Sequence, residues 1–101
     1  MHLMFSDNVH TQLTRMGVRL RAERLARNEP QARFAARLGI SIPTLRRLEQ
    51  GDASAQIGHW LAALEVLGRL PEAEALLAPR YSLFDAAAET PKTRQRARRL
   101  K

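Results

Sequence analysis

Apolar residues recur along the first part of the chain at helical intervals. Val9, Leu13, Met16, Leu20 and Leu25 form one stripe, with Gly17 and Val18 beside it, and predict a helix from Val9 to about Asn28. Asp7 or Asn8 is suited to cap it, because a short side-chain oxygen accepts an orphan backbone N–H. Arg15, Arg19, Arg21, Arg24 and Arg27 fall on its other faces. Asn28-Glu29-Pro30 breaks this helix and opens a second, Gln31 to Leu38, since proline is tolerated where an N–H has no partner anyway. Gly39 stops the second helix. Ser41 caps a third, which runs to Leu48 or Gln50 with Pro43 in its first turn and Gly51 after it. After a loop from Asp52 to Gln56, Ile57, Trp60, Leu61, Leu64 and Leu67 mark a fourth helix, ended by Gly68. Pro71 to Leu77 reads as a short fifth, closed by Pro79. Tyr81-Ser82-Leu83-Phe84 is a brief apolar stretch, and Thr90 onward is basic with only Leu100 to pack. The expected organisation is an arm over residues 1–8, a helical domain over 9–79 and an extension over 80–101.

The segment QARFAARLGISIPTLRRLEQG, Gln31 to Gly51, meets the steric demands of two short helices joined by a tight turn. Phe34 and Leu38, four apart, face inward. Ala35 lies where the two helices approach, and a small side chain is needed there. Gly39 supplies the positive φ of the turn. Ile40 fills the space beneath it, and Leu45 and Leu48 anchor the second helix of the pair to the core. Together these offsets identify a helix-turn-helix.

With Leu45 and Leu48 inward, and roughly 100° between successive residues, Pro43, Arg46, Arg47 and Gln50 face out, with Ile42 and Thr44 on the flanks. In this motif the start of the second helix meets base edges in the major groove. Arg46 or Arg47 is therefore placed either to donate to guanine O6 and N7 or to contact phosphate, and Ile42 or the Thr44 methyl to touch a thymine methyl. Gln31 opens the first helix of the pair, where free N–H groups suit a phosphate. Ser41 serves as cap and as a phosphate donor.

Charge agrees with this reading. The chain of 101 residues carries +7 overall, unevenly spread. Residues 9–50 hold nine Arg against three Glu; residues 51–89 hold two Arg against six acids; residues 90–101 hold six Lys or Arg and no acid. One basic and one acidic region suit a protein that neutralises phosphates on one side only. The terminal basic block reads as disordered, or ordered by a partner, and adds electrostatic affinity for DNA. Abundant Ala, Leu, Arg and Glu with few β-branched residues favours helices over sheet.

The chain resembles the Xre family of phage-repressor-like helix-turn-helix proteins, on the segments GVRLRAERLARN, QARFAARLGIS, TLRRLEQGDAS and IGHWLAALEVLG, over about Leu13 to Leu77. The resemblance implies an all-α, five-helix domain whose third helix enters the major groove, and a homodimer bound to an inverted-repeat operator. Ile42, Pro43, Thr44, Arg46 and Arg47 match the family's recognition-helix positions, and Gln31 a glutamine that buttresses DNA contact. Two positions depart from the pattern: Pro30, where serine is common, and Ile42, where a polar residue is common. A narrower resemblance, on TLRRLEQGDAS…IGHWLAALEVLG, LLAPRYSLFD and RQRARR, is to HipB-like antitoxins. It implies a repressor of its own operon that also neutralises a HipA-like Ser/Thr kinase toxin. A free-standing phage- or plasmid-type regulator shares the same DNA chemistry without the toxin.

Catalysis is not expected: there is no Gly-rich phosphate loop and no triad-like or metal-like cluster. His2, His10 and His59 are widely separated, and there is no Cys, which removes disulfides and thiolate metal sites and suits the cytoplasm. No cofactor is expected. Trp60, Leu64, Leu70, Leu76 and Leu77 are candidates for a dimer surface, with Trp60 equally suited to the core.

Overall fold

A computed structural model describes residues 5–80 of the chain. The order is α1 (Asp7–Ala26), α2 (Gln31–Leu38), α3 (Ile42–Glu49), α4 (Ile57–Val66) and a 3-10 helix (Leu70–Ala75). Among the described residues the fold is all-α with five helices, as the patterning predicts. The apolar stretch at Tyr81–Phe84 and the basic tail lie outside the described residues.

α1 starts earlier than its apolar stripe suggests. Ser6 is its cap, accepting the Val9 N–H at 3.2 Å, so Asp7 and Asn8 already belong to the helix. Its inward face is Leu13, Met16, Gly17, Leu20 and Arg24, at the 3-and-4 spacing of one side of a helix. Val9 and Leu25, read from sequence as part of the stripe, are 40% and 47% exposed. Val9 lies in the exposed first part of α1, residues 7–12, and Leu25 is one step round from Arg24, which takes the buried position instead. Past Ala26 the chain turns through Asn28 at φ 53°, while the Asn28 and Glu29 N–H groups bond back to Leu25 and Arg24. Asparagine tolerates this left-handed backbone better than most residues.

α2 and α3 follow their predicted bounds closely. Gly39 takes φ 75°, and the Ile40 N–H bonds back to Ala35, so the turn needs a residue without a Cβ penalty. The Ser41 hydroxyl accepts the Thr44 N–H at 3.2 Å to start α3. The core is Leu20, Phe34, Ala35, Leu45, Leu48, Ala63 and Leu67, with Leu38, Ile40, Ile42, Trp60 and Val66 packed on it. Phe34, Leu45 and Leu48 are the largest fully buried side chains, each worth at most about 1.5–3 kcal/mol of burial. α1 crosses α3 so closely that a Cβ on Gly17 would meet the backbone of Leu48 and Glu49. Gly51, at φ 73°, lies equally tight against the Leu13 backbone.

α4 buries Ala63 and, just past its end, Leu67, while Trp60, Leu61 and Leu64 are half-buried. Ile57, expected in the stripe, is 63% exposed because the first turn of α4 stands clear of the core. The fifth element is a 3-10 helix rather than a turn of α-helix. Pro71 sits in its first turn, six residues are too few for strong α-helical cooperativity, and Leu77 leaves it at φ 56°.

Candidate nucleic-acid interface

The outer surface of α3 follows from what its inner surface buries. Leu45 and Leu48 are both 0% exposed. On a helix of eight residues their inward placement leaves Pro43, Arg46, Arg47 and Gln50 exposed on the opposite side. Ile42 and Thr44 are half-buried flanks, with Ile42 packed partly on the core. Ser41 and Thr44 share a 2.9 Å hydroxyl–hydroxyl hydrogen bond while the Ser41 oxygen also caps the helix. Ser41 is the donor of that bond, so the Thr44 O–H is the one with no acceptor among the described residues. Gln31, the first residue of α2, is half-buried beside the last turns of α3: its Nε2 donates to Glu49 Oε1 at 3.3 Å and its Oε1 accepts from Arg46 Nε at 3.4 Å.

Thus the seven residues singled out from the sequence fall on two neighbouring elements, the start of α2 and the length of α3 with its cap. Gln31, Arg46 and the Ser41–Thr44 pair are in direct polar contact with their neighbours. Arg47 makes no side-chain hydrogen bond or ion pair among the described residues, and neither do Arg15, Arg19, Arg21 and Arg33. Unpaired guanidinium groups remain available to an anionic partner. The acids Glu65, Glu72 and Glu74 lie on α4 and the following helix, and Glu72 lines the same groove as Arg19 of α1.

Beneath this surface is a polar assembly that the sequence reading did not find. Arg24, expected on a solvated face, is 5% exposed, and its Nε and Nη2 donate to Glu49 at 2.6 and 3.1 Å. Its Nη1 donates to the Glu29 carbonyl at 2.9 Å. The Glu29 carboxylate, also buried, accepts two 2.7 Å bonds from Arg37. The available signal was positional: Arg24 is four residues from Leu20 and seven from Gly17, and Glu49 four from Leu45. Each thus lies on an inward stripe. In the next loop the Ser54 hydroxyl and N–H both donate to Asp52 Oδ1, at 2.7 and 2.8 Å. The side-chain bond, then the backbone bond and the nearby charge of Arg47 hold the Asp52 carboxyl below its usual range.

Among the described residues, no group of three or more His, Cys, Asp or Glu is placed to hold a metal. None of their helices is long and apolar enough to cross a membrane. Compared with known proteins, residues 15–77 match the family described as "Helix-turn-helix domain". Neither the curated proteins nor the solved structures contain a significant match to the chain.

Proposed function

Because this chain belongs to the helix-turn-helix domain family, a family of DNA-binding regulators, we propose that it is a sequence-specific transcriptional repressor that lays α3 in the major groove. The observation that carries this reading is the complete burial of Leu45 and Leu48, which turns Pro43, Arg46 and Arg47 outward from the same short helix. In this reading Arg46 and Arg47 meet bases or phosphates, Ile42 and Thr44 touch the groove from the flanks, and Gln31 and Ser41 bind the backbone at two helix starts.

The repressor acts as a homodimer on an inverted repeat, with the two α3 helices about 34 Å apart, one turn of B-DNA. An apolar groove of about 230 Å³ between α1, α4 and the 3-10 helix supports this. It is lined by Leu20, Trp60, Leu61, Leu64 and Leu76, and Leu76 is 65% exposed in the single chain. Trp60 packs on the core and also lines the groove.

The antitoxin role, with a HipA-like kinase as partner in the cytoplasm, rests on the sequence resemblance alone. A free-standing regulator is the alternative, and co-purification with the product of an adjacent kinase gene separates the two. The DNA-binding reading is tested by footprinting the full chain on its own promoter at low salt. Protection of an inverted repeat is expected, lost in the Arg46→Ala/Arg47→Ala protein; identical footprints from both would refute the docking.

A further inference from the structure

The apolar groove between α1, α4 and the 3-10 helix has a charged rim whose charges are unevenly matched. At Glu23, the last groove residue of α1, the carboxylate pairs with Arg27 at 2.5 Å and with Arg69 at 3.0 Å, and Arg69 pairs in turn with Glu72 at 2.5 Å. Arg19, one turn before Glu23, lines the groove as well. Among the described residues its side chain has no hydrogen bond and no ion pair. The wall below the rim is apolar, with Leu20, Trp60, Leu64 and Leu76. At about 230 Å³ the groove falls short of the ~300–1,000 Å³ usual for a small-molecule pocket, and suits the side chains of a polypeptide instead.

The described residues end beside this groove. Leu76 (φ −66°, ψ 120°) and Leu77 (φ 56°) are the central residues of a turn closed by the Ala78 N–H on the Ala75 carbonyl at 3.2 Å. These angles fit a type II turn, in which the chain reverses direction. Arg80, the last described residue, comes four positions after Leu76. Next in the chain is Tyr81-Ser82-Leu83-Phe84-Asp85, whose apolar side chains are followed by the first acid after Glu74. From Arg80 to Phe84 the chain can extend ~13 Å, and the stretch of α1 that lines the groove, Met16 to Glu23, is ~10 Å long.

We propose that the segment Tyr81–Asp85 of the same chain occupies this groove, with Leu83 and Phe84 against Trp60 and Leu64 and the Asp85 carboxylate at Arg19. The segment brings, in adjacent positions, the two things the groove lacks: apolar cover and one carboxylate. Most of the hold comes from the apolar side chains, because an exposed ion pair contributes little; Arg19 fixes how the segment lies. A tether this short keeps the segment at an effective concentration in the millimolar range, about a thousandfold above a second copy at micromolar concentration. A dimer that uses the groove must therefore displace the segment first, which restrains self-association. None of this depends on the DNA-binding reading.

The chain has a single tryptophan, so acrylamide quenching of its fluorescence reports on Trp60 alone. The test uses the full chain over a dilution series in the micromolar range. Trp60 is expected to be shielded to the same degree at every dilution. Leu83→Ser and Phe84→Ser, both outside the described helices, should each raise the quenching constant and shift the emission to the red. Arg19→Asp should do so in part, and Arg19→Asp combined with Asp85→Arg should restore the wild-type constant, a rescue that a general loosening of the fold would not give. Quenching that is unchanged in the two Ser variants, or a charge swap that fails to restore shielding, overturns the proposal. Shielding that fades on dilution overturns it too, identifies a second copy as the cover, and leaves the dimer standing.

Discussion

Arg24 on α1 and Glu49 at the end of α3 form a buried, two-bond ion pair, at 2.6 and 3.1 Å, that ties α1 to α3. Desolvation offsets much of the attraction in such a pair, but removing one partner leaves the other charged and dry. Glu49→Ala is therefore expected to lower the unfolding free energy by about 3–5 kcal/mol, a large part of the ~5–15 kcal/mol of a typical domain. Arg24→Met combined with Glu49→Leu should cost less than Glu49→Ala alone. Urea unfolding of the three proteins decides; a double variant less stable than the single one would show that packing, not the stranded charge, sets the cost.

The glycines rank by what surrounds them. At Gly17 a Cβ would lie 2.8 Å from the Leu48 carbonyl oxygen and closer still to Glu49, and backbone on backbone cannot yield. Gly17→Ala should cost about 1–3 kcal/mol, as overpacking does. Gly39 has φ 75° but open space around it, so Gly39→Ala meets only the left-handed penalty, about 1–2 kcal/mol. Gly51 combines φ 73° with a Cβ position 2.6 Å from the Leu13 backbone. Thermal melts should place Gly51→Ala lowest; a Gly51→Ala protein as stable as Gly39→Ala would show that the end of α3 does not press on α1 there.

Acid should weaken the fold through two identified carboxylates. Hydrogen bonds from Ser54 hold Asp52 below its ordinary range, and a hydrogen bond from Arg27 does the same for Glu23, aided by the charges of Arg27 and Arg69. A carboxyl whose pKa is lower folded than unfolded stabilises the fold fully above the unfolded value, and loses that contribution as pH falls through the folded one. Stability contributed by these two should fade below about pH 4. In an NMR titration, Ser54→Ala should bring the Asp52 midpoint up toward its ordinary value and leave that of Glu23 in place. An unmoved Asp52 midpoint would remove the Ser54 hydroxyl as a cause, since the backbone N–H at 54 persists in the variant.

The apolar groove gives a direct test of dimerisation. Leu76→Asp puts a charge on a residue that is 65% exposed in the single chain, so folding should persist. In sedimentation experiments the proposed dimer predicts a wild type that self-associates and a variant that runs as a monomer at the same concentrations. Dimers of undiminished strength would place the interface elsewhere.

Deleting residues 90–101 removes six Lys or Arg. For every phosphate that the tail neutralises in the full chain, the deletion should lower the slope of log affinity against log salt by about 0.9. A slope that stays the same after deletion would mean the tail touches no phosphate.

Much of the domain was legible from local rules. Phe34, Leu38, Leu45 and Leu48 declare their inward faces by spacing, and Gly39, Ser41 and Gly51 declare a turn, a cap and a stop by the backbone shapes they favour. The outward positions of Arg46 and Arg47 follow from the same spacing, since a helix eight residues long has few ways to bury two leucines three apart. At the start of α1 local rules pointed to Asp7 or Asn8, whereas the helix begins one residue earlier and is capped by Ser6.

Other features depend on which helix lies opposite. Arginine is usually solvated, so Arg24 reads as surface until Glu49, twenty-five residues later, is brought against it. Gly17 reads only as a neighbour of the apolar stripe until the backbone of α3 is found pressed upon it. Gln31 shows its neighbours only once α2 and α3 are packed. Periodicity records the side of a helix that seeks the core and is silent about its partners. The inward faces of α2 and α3 could be read from single stretches of chain, whereas the burial of Arg24, the ion pair, the close crossing and the contact between Gln31 and Arg46 exist only between stretches.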